Sequence, residues 1–152
     1  MSVTVGVNSM SVVHKGSGGV TTAFPDVCKT PAAPSPLPIP YPNVARSADS
    51  AKTAKKVKAD GNPICTNASN FSTSTGDDAG VLKGVVSNKV KGKAEFVNFS
   101  MNVKAEGKNV VRALDLMLHN GKNTPPVPLL QGPAILVPGS DRPTCYICDK
   151  AL

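Results

Sequence analysis

Val57-Lys58-Ala59-Asp60-Gly61-Asn62-Pro63-Ile64 and Val103-Lys104-Ala105-Glu106-Gly107-Lys108-Asn109-Val110 spell one phrase twice, V-K-A-[DE]-G-x-x-[IV], 46 positions apart. Asp60-Gly61-Asn62, set between two short runs, is a hairpin signal, because Asp-Gly accepts the positive φ that a two-residue turn demands. One hairpin written twice predicts two similar faces on one small body. The offset is too long for a short-period solenoid, and two copies are too few for an array. Two or three pseudo-equivalent β units folding onto each other is the expected geometry.

Outward from these phrases, β signals dominate. Val3 to Val13 alternates apolar and polar residues, which predicts a strand. His14 to Gly19 breaks it with glycines, and Val20 to Phe24 resumes a short β run. Pro25 to Pro42 holds seven prolines in eighteen residues. Each fixes φ and removes an amide donor, so this segment reads as polyproline II or an irregular extended arm, never a central strand. Asn43 to Lys56 reads as a short helix or loop, Thr66 to Gly80 as a polar loop, and Val81 to Val90 and Ala94 to Val103 as β stretches. Val110 to His119 is the longest helix candidate, but the hairpin match before it favours strand.

The chain has 152 residues, one domain's worth, with 17 Lys+Arg against 10 Asp+Glu for a formal charge of +7. The lysines are spread out apart from Lys52, Lys55, Lys56 and Lys58, and only four Phe and two Tyr are available to stack on bases. A solvated basic surface is therefore expected, with no nucleic-acid partner. No apolar run approaches the roughly 20 residues that span a bilayer, which excludes an integral membrane segment. The N-terminus lacks the basic residues and cleavage site of a secretory signal, so the thiols are expected to be free or metal-bound in a reducing compartment.

Enzyme signatures are absent. No Gly-x-Ser-x-Gly elbow, P-loop or dinucleotide motif occurs, and a Cys28–His119 nucleophile–base pair has no local signature behind it. Asp77 and Asp78 form a possible carboxylate pair, with a glycine-flanked loop as the plainer reading. Metal is the stronger chemistry, since zinc takes four N or S ligands and the chain offers two imidazoles and four thiols. His14 and His119 sit at strand ends that could converge on one apex, and Cys28 could reach the same point. Alternatively both histidines are exposed turn residues and Cys28 is core. Cys145-x-x-Cys148 has the spacing of half a zinc knuckle.

Several motifs in order resemble a known family: Phe24-Pro25-Asp26-Val27-Cys28-Lys29-Thr30-Pro31, Pro38-Ile39-Pro40-Tyr41-Pro42-Asn43, His14 to Gly19, Ser72-Thr73-Ser74-Thr75-Gly76-Asp77, Glu106 to Arg112 and Leu116-Met117-Leu118-His119-Asn120. Together they are similar to the PAAR-like domain named for its PIPY motif. The resemblance implies a small all-β domain, conical or prism-like, with pseudo-threefold hairpin repeats, here carrying a proline-rich extended arm. It also implies a non-enzymatic spike tip that caps a VgrG-type trimer of a type VI secretion or related contractile injection system and delivers an effector or toxin, directly or through an adaptor. One zinc ion held by His14, Cys28, His119 and Cys65 is implied as well.

Residues 1–140 are expected to form the tip domain and 141–152 a tail with the C-x-x-C. Pro38, Ile39, Pro40, Tyr41 and Pro42, with Leu129 and Leu130 of the Leu129–Val137 stretch, are expected to meet the trimer. The chain's end at Leu152 leads us to expect a separate cargo. The protein would stay in the cytoplasm before firing and leave through the machine without a cleaved signal peptide. The rival expectations are a small Cys/His-dependent toxin enzyme and a zinc-knuckle nucleic-acid-binding module.

Overall fold

The computed structural model of the protein describes residues 3–132. The C-terminal part of the Leu129–Val137 stretch and the tail with Cys145 and Cys148 lie outside the described residues. The class is all-β, and the hairpin that the sequence phrase spells twice is built three times. Gly6–Val7 pairs with Met10–Ser11, Lys58–Ala59 with Asn62–Pro63, and Lys104–Ala105 with Lys108–Asn109, each antiparallel. Their two-residue turns are Asn8-Ser9, Asp60-Gly61 and Glu106-Gly107, and all six residues have φ between 49° and 80°. Positive φ at both central positions is the turn whose twist matches that of the flanking strands. Val3 to Val13 is thus a hairpin and not the single strand its alternation predicts.

The three hairpins close on one another. Val12 bridges Arg112, His14 bridges Ile64, and Thr66 bridges Val110. The Val13 amide donates to the Val111 carbonyl at 3.4 Å, Val111 to Cys65 at 3.4 Å, and Cys65 back to Val13 at 2.8 Å. A second ring runs through the turns. Asp60 accepts from the Thr4 amide at 3.1 Å, and Glu106 accepts from the Lys55 and Lys56 amides at 2.8 and 2.9 Å. Asn8 donates to Asn102 at 2.9 Å. Each turn side chain therefore latches the segment that leads into a neighbouring hairpin.

The core follows the same threefold pattern. Val7, Ala59 and Ala105, with Val12, Ile64 and Val110, build the first apolar layer. Their chain neighbours Val13, Cys65 and Val111 start the second, which is completed by Ala45, Phe71, Ala94, Met117 and Leu129. Phe71 meets Phe96 edge to face with centroids 5.5 Å apart. Burying a side chain such as Phe71, Met117 or Leu129 stabilises the fold by about 1.5–3 kcal/mol each. The second layer is walled by an antiparallel sheet in the order Val127–Pro128, Leu116–Leu118, Ala94–Phe96, Asn70–Phe71, Ser50–Ala51.

Val20–Thr30 and Leu37–Arg46 form a long antiparallel hairpin. The proline segment therefore runs through both paired strands and the connection between them, and at Leu37–Pro42 it is a paired strand rather than polyproline II. Pro38 and Pro40 share one parity, so their missing amides fall on the side facing away from Val20–Thr30. A bulge lies between Ala23 and Asp26. Beyond Thr21, which pairs with the core residue Ala45, nine further residues carry this hairpin through a contour of about 30 Å. Asn43 to Lys56 contains the end of that strand and a single 3-10 turn, Ser47–Asp49. Val81 to Val90 forms no strand: positive φ at Lys83 and Asn88 turns the chain instead.

Candidate functional site

Asp26 and Cys28 stand two residues apart on one strand, so both side chains point to the same face. The bulge just before Asp26 sets their aim. Asp77 arrives from the loop that follows Asn70–Phe71. Gly76 takes φ +133° against the Pro42 carbonyl, and a Cβ on Gly80 would overlap that of Cys28. Only glycine at both places lets the loop come this close. Cys28 Sγ lies 3.6 Å from Asp26 Oδ1 and 3.8 Å from Asp77 Oδ2, and all three residues are fully buried.

Neutral amides surround the carboxylates. Asn43 Nδ2 donates to Asp26 Oδ2 at 2.8 Å and to Ser74 Oγ at 2.9 Å. Asn120 Nδ2 and Asn123 Nδ2 donate to Asp26 Oδ1, and the Lys91 amide donates to Asp77. Asn43 Oδ1 is buried with no partner. Among the described residues no side-chain cation pairs with Asp26 or Asp77; the neighbouring Asp78 is exposed and takes Lys91. Asp77 and Asp78 are split between interior and surface and form no carboxylate pair, in line with the plainer loop reading.

Burial, reinforced by Asp26 and Asp77, pushes the Cys28 thiol up to about 12, and burial lifts Asp77 to about 6. A protonated thiol sealed from solvent is a poor nucleophile. The same three atoms suit a cation. They lie within 4.8 Å of one another. A tetrahedral zinc with bonds of roughly 2.3 Å to sulfur and 2.0 Å to oxygen has an S···O edge of about 3.5 Å, close to both observed spacings. The Asp26–Cys28–Asp77 group can hold a metal ion.

The expected ligand set is distributed differently. Among the described residues, Asp26, Cys28 and Asp77 are the one group of three or more convergent ligand side chains. His14 is buried rather than exposed. Its Nδ1 accepts from the Gly16 amide at 3.1 Å and its Nε2 lies 3.4 Å from Asp60 Oδ2. It occupies the threefold position shared with Thr66 and Arg112, where Ser17, Ser69 and Asp115 respectively accept the backbone amide. Cys65 sits in the apolar layer as the counterpart of Val13 and Val111, and burial raises its thiol to about 11. His119 is buried, with Nε2 3.1 Å from Thr21 Oγ1 and Nδ1 unpartnered. Burial lowers it to about 4, with Asp26 pulling weakly the other way.

Of the expected docking residues, Leu129 is interior, Leu130 is 61% exposed, and Ile39 and Tyr41 are half-buried. Sequence reasoning passed over Asp26, Asn43, Ser74, Asn120 and Asn123. All but Asn123 lie inside the quoted family motifs.

The comparisons with known proteins agree with those motifs. A family model described as the toxin PAAR-like domain matches residues 19–126. Among curated proteins, the chain is 44% identical over 133 residues to the DNase toxin Tse7 of Pseudomonas aeruginosa, which takes in 82% of this chain and 34% of that protein. The chain thus spans about a third of that relative's length. No solved structure matches it. The expectation of a non-enzymatic protein is overturned by the relative, which is named as a DNase toxin, and the expected absence of a nucleic-acid partner loses its support for the same reason.

Proposed function

Since the chain belongs to the toxin PAAR-like domain family, associated with type VI secretion, we propose that it caps a VgrG-type spike trimer and delivers a toxin of the DNase class. The observation that carries this reading is the closed three-hairpin ring. A partner with a threefold axis presents the same surface three times, and a monomer meets it best with three near-equivalent surfaces of its own. Val5, Val57 and Val103 occupy one equivalent position, where their carbonyls accept from Val12, Ile64 and Val110. Val5 and Val57 are 40% and 37% exposed. We place the docking footprint there rather than on the proline arm. On this reading the protein waits in the cytoplasm and leaves with the spike.

The zinc ion implied by the family resemblance fits Asp26, Cys28 and Asp77. Two buried carboxylates without a cationic partner are costly, and a divalent ion removes that cost. The ion would tie the long hairpin to the Asp77 loop.

Co-expression with a spike trimer from the same genome, followed by size-exclusion chromatography, tests the docking. One chain per three spike chains is expected. Val5→Asp with Val57→Asp should abolish the complex, while Ile39→Asp with Tyr41→Ala should leave it. The opposite pattern would move the footprint to the arm, and no complex with the unaltered chain would refute the reading.

A further inference from the structure

We propose that the Val81–Val86 loop is a docking face for an anionic lipid surface. Val81, Val85 and Val86 are 56%, 54% and 78% exposed, and Leu82 is 39% exposed. Four large aliphatic side chains in six residues make an apolar patch that solvent alone does not explain. The patch is rigidly mounted. The Lys29 amide donates to the Lys83 carbonyl at 2.9 Å, Leu82 to Lys29 at 3.1 Å, and Val85 to Val27 at 3.0 Å. Asn123 Oδ1 then accepts from the Val86 and Ser87 amides at 2.8 and 3.0 Å. The loop thus lies along the far half of the long hairpin, away from the hairpin ring.

Charge selects the occupant. Lys83 lies on this loop, Lys29 and Lys89 bond to it through the backbone, and Lys122 precedes the Asn123 that holds it; all four are exposed, and among the described residues none is paired with a carboxylate. The acidic groups nearby are accounted for: Asp78 pairs with Lys91, Glu95 with Lys93, and Asp26 and Asp77 are interior. Exposed aliphatic side chains with unpaired lysines on and beside the same loop match a bilayer interface, with the valines entering the acyl boundary and the ammonium groups meeting lipid phosphates. Nucleic acid is the weaker fit, because it would use the lysines and leave the valines in water, with no exposed aromatic on the loop to stack a base.

Flotation of the full chain with vesicles tests the proposal. The chain should float with phosphatidylethanolamine–phosphatidylglycerol vesicles and not with pure phosphatidylcholine. Lys83→Glu with Lys122→Glu should weaken binding by about 25-fold or more, at roughly fivefold per basic residue near the surface. Val85→Asp with Val86→Asp should weaken it comparably, and both variants should keep the wild-type melting profile because the altered side chains are exposed. Failure of the unaltered chain to float would overturn the proposal. So would equal flotation with both vesicle types, wild-type binding by the valine variant, or preferential retention of a DNA fragment that competes the vesicles away. Spike-trimer binding, measured on the same variants, is unaffected in every case, which keeps this test separate from the docking reading.

Discussion

Val13, Cys65 and Val111 should behave as one position. Val13 and Val111 are fully buried and joined through Cys65 by backbone hydrogen bonds. Truncating either to Ala removes two methyl groups, a transfer loss of about 1.6 kcal/mol. The unfilled void adds about 1 kcal/mol more, because neighbours in a packed layer relax only partly. Each single change should therefore cost about 2–3 kcal/mol, a fall in Tm of roughly 5–10 °C for a chain of this size. The double change should depart from additivity by at least about 0.5 kcal/mol, since the two sites share a layer. Cys65→Val makes the three positions identical. It forfeits the Sγ contact to Ser50 Oγ at 3.3 Å but adds apolar volume, so the net change should stay within about 1 kcal/mol. Urea unfolding monitored by circular dichroism reads all four variants. Costs for Val13→Ala and Val111→Ala that differ by more than about 1.5 kcal/mol would refute the threefold layer. A loss above about 2 kcal/mol for Cys65→Val would do the same.

Two further outcomes follow from the buried polar groups. Protein purified from zinc-supplemented medium should carry one ion by elemental analysis; Cys28→Ser and Asp77→Asn should lose it, whereas Cys65→Val should keep it, and zinc retained by the first two would place the ion elsewhere. His119 is held neutral in the fold, with its value near 4 against about 6.5 when unfolded. Its contribution is fully present above about pH 6.5 and is lost as pH falls towards 4, up to about 3 kcal/mol. His119→Asn should remove that part of the pH slope, and identical slopes for the two proteins would show that the imidazole is not held neutral.

The repeat was legible because two copies keep Val-Lys-Ala and an acidic-Gly turn. The first copy keeps only its valines: Asn8-Ser9 replaces the Gly-containing turn, and Val3, Val5 and Val7 imitate one continuous strand. Val81 to Val90 misled in the opposite way, since its β-branched residues are exposed and its backbone turns at Lys83. The buried polar group was legible in part. Cys28 was singled out, and Asp26, Asn43, Ser74 and Asn120 lay in recognised motifs. An asparagine gives no hint from sequence that its amide will face a carboxylate 94 or 97 residues away, as Asn120 and Asn123 face Asp26. His14, by its turn at a strand end, and both His14 and Cys65, by the family resemblance, read as ligands, whereas their places are set by the threefold positions they occupy.

The placement of Pro38 and Pro40 has a consequence for crowding. A two-stranded ribbon ordinarily offers its free border as a template on which another chain can add itself, the first step of fibrous self-association. Here the outward side of that ribbon lacks the donors such zippering needs. At high protein concentration molecules would stay separate along this border, and Pro38→Val with Pro40→Val would turn the same border into an adhesive one.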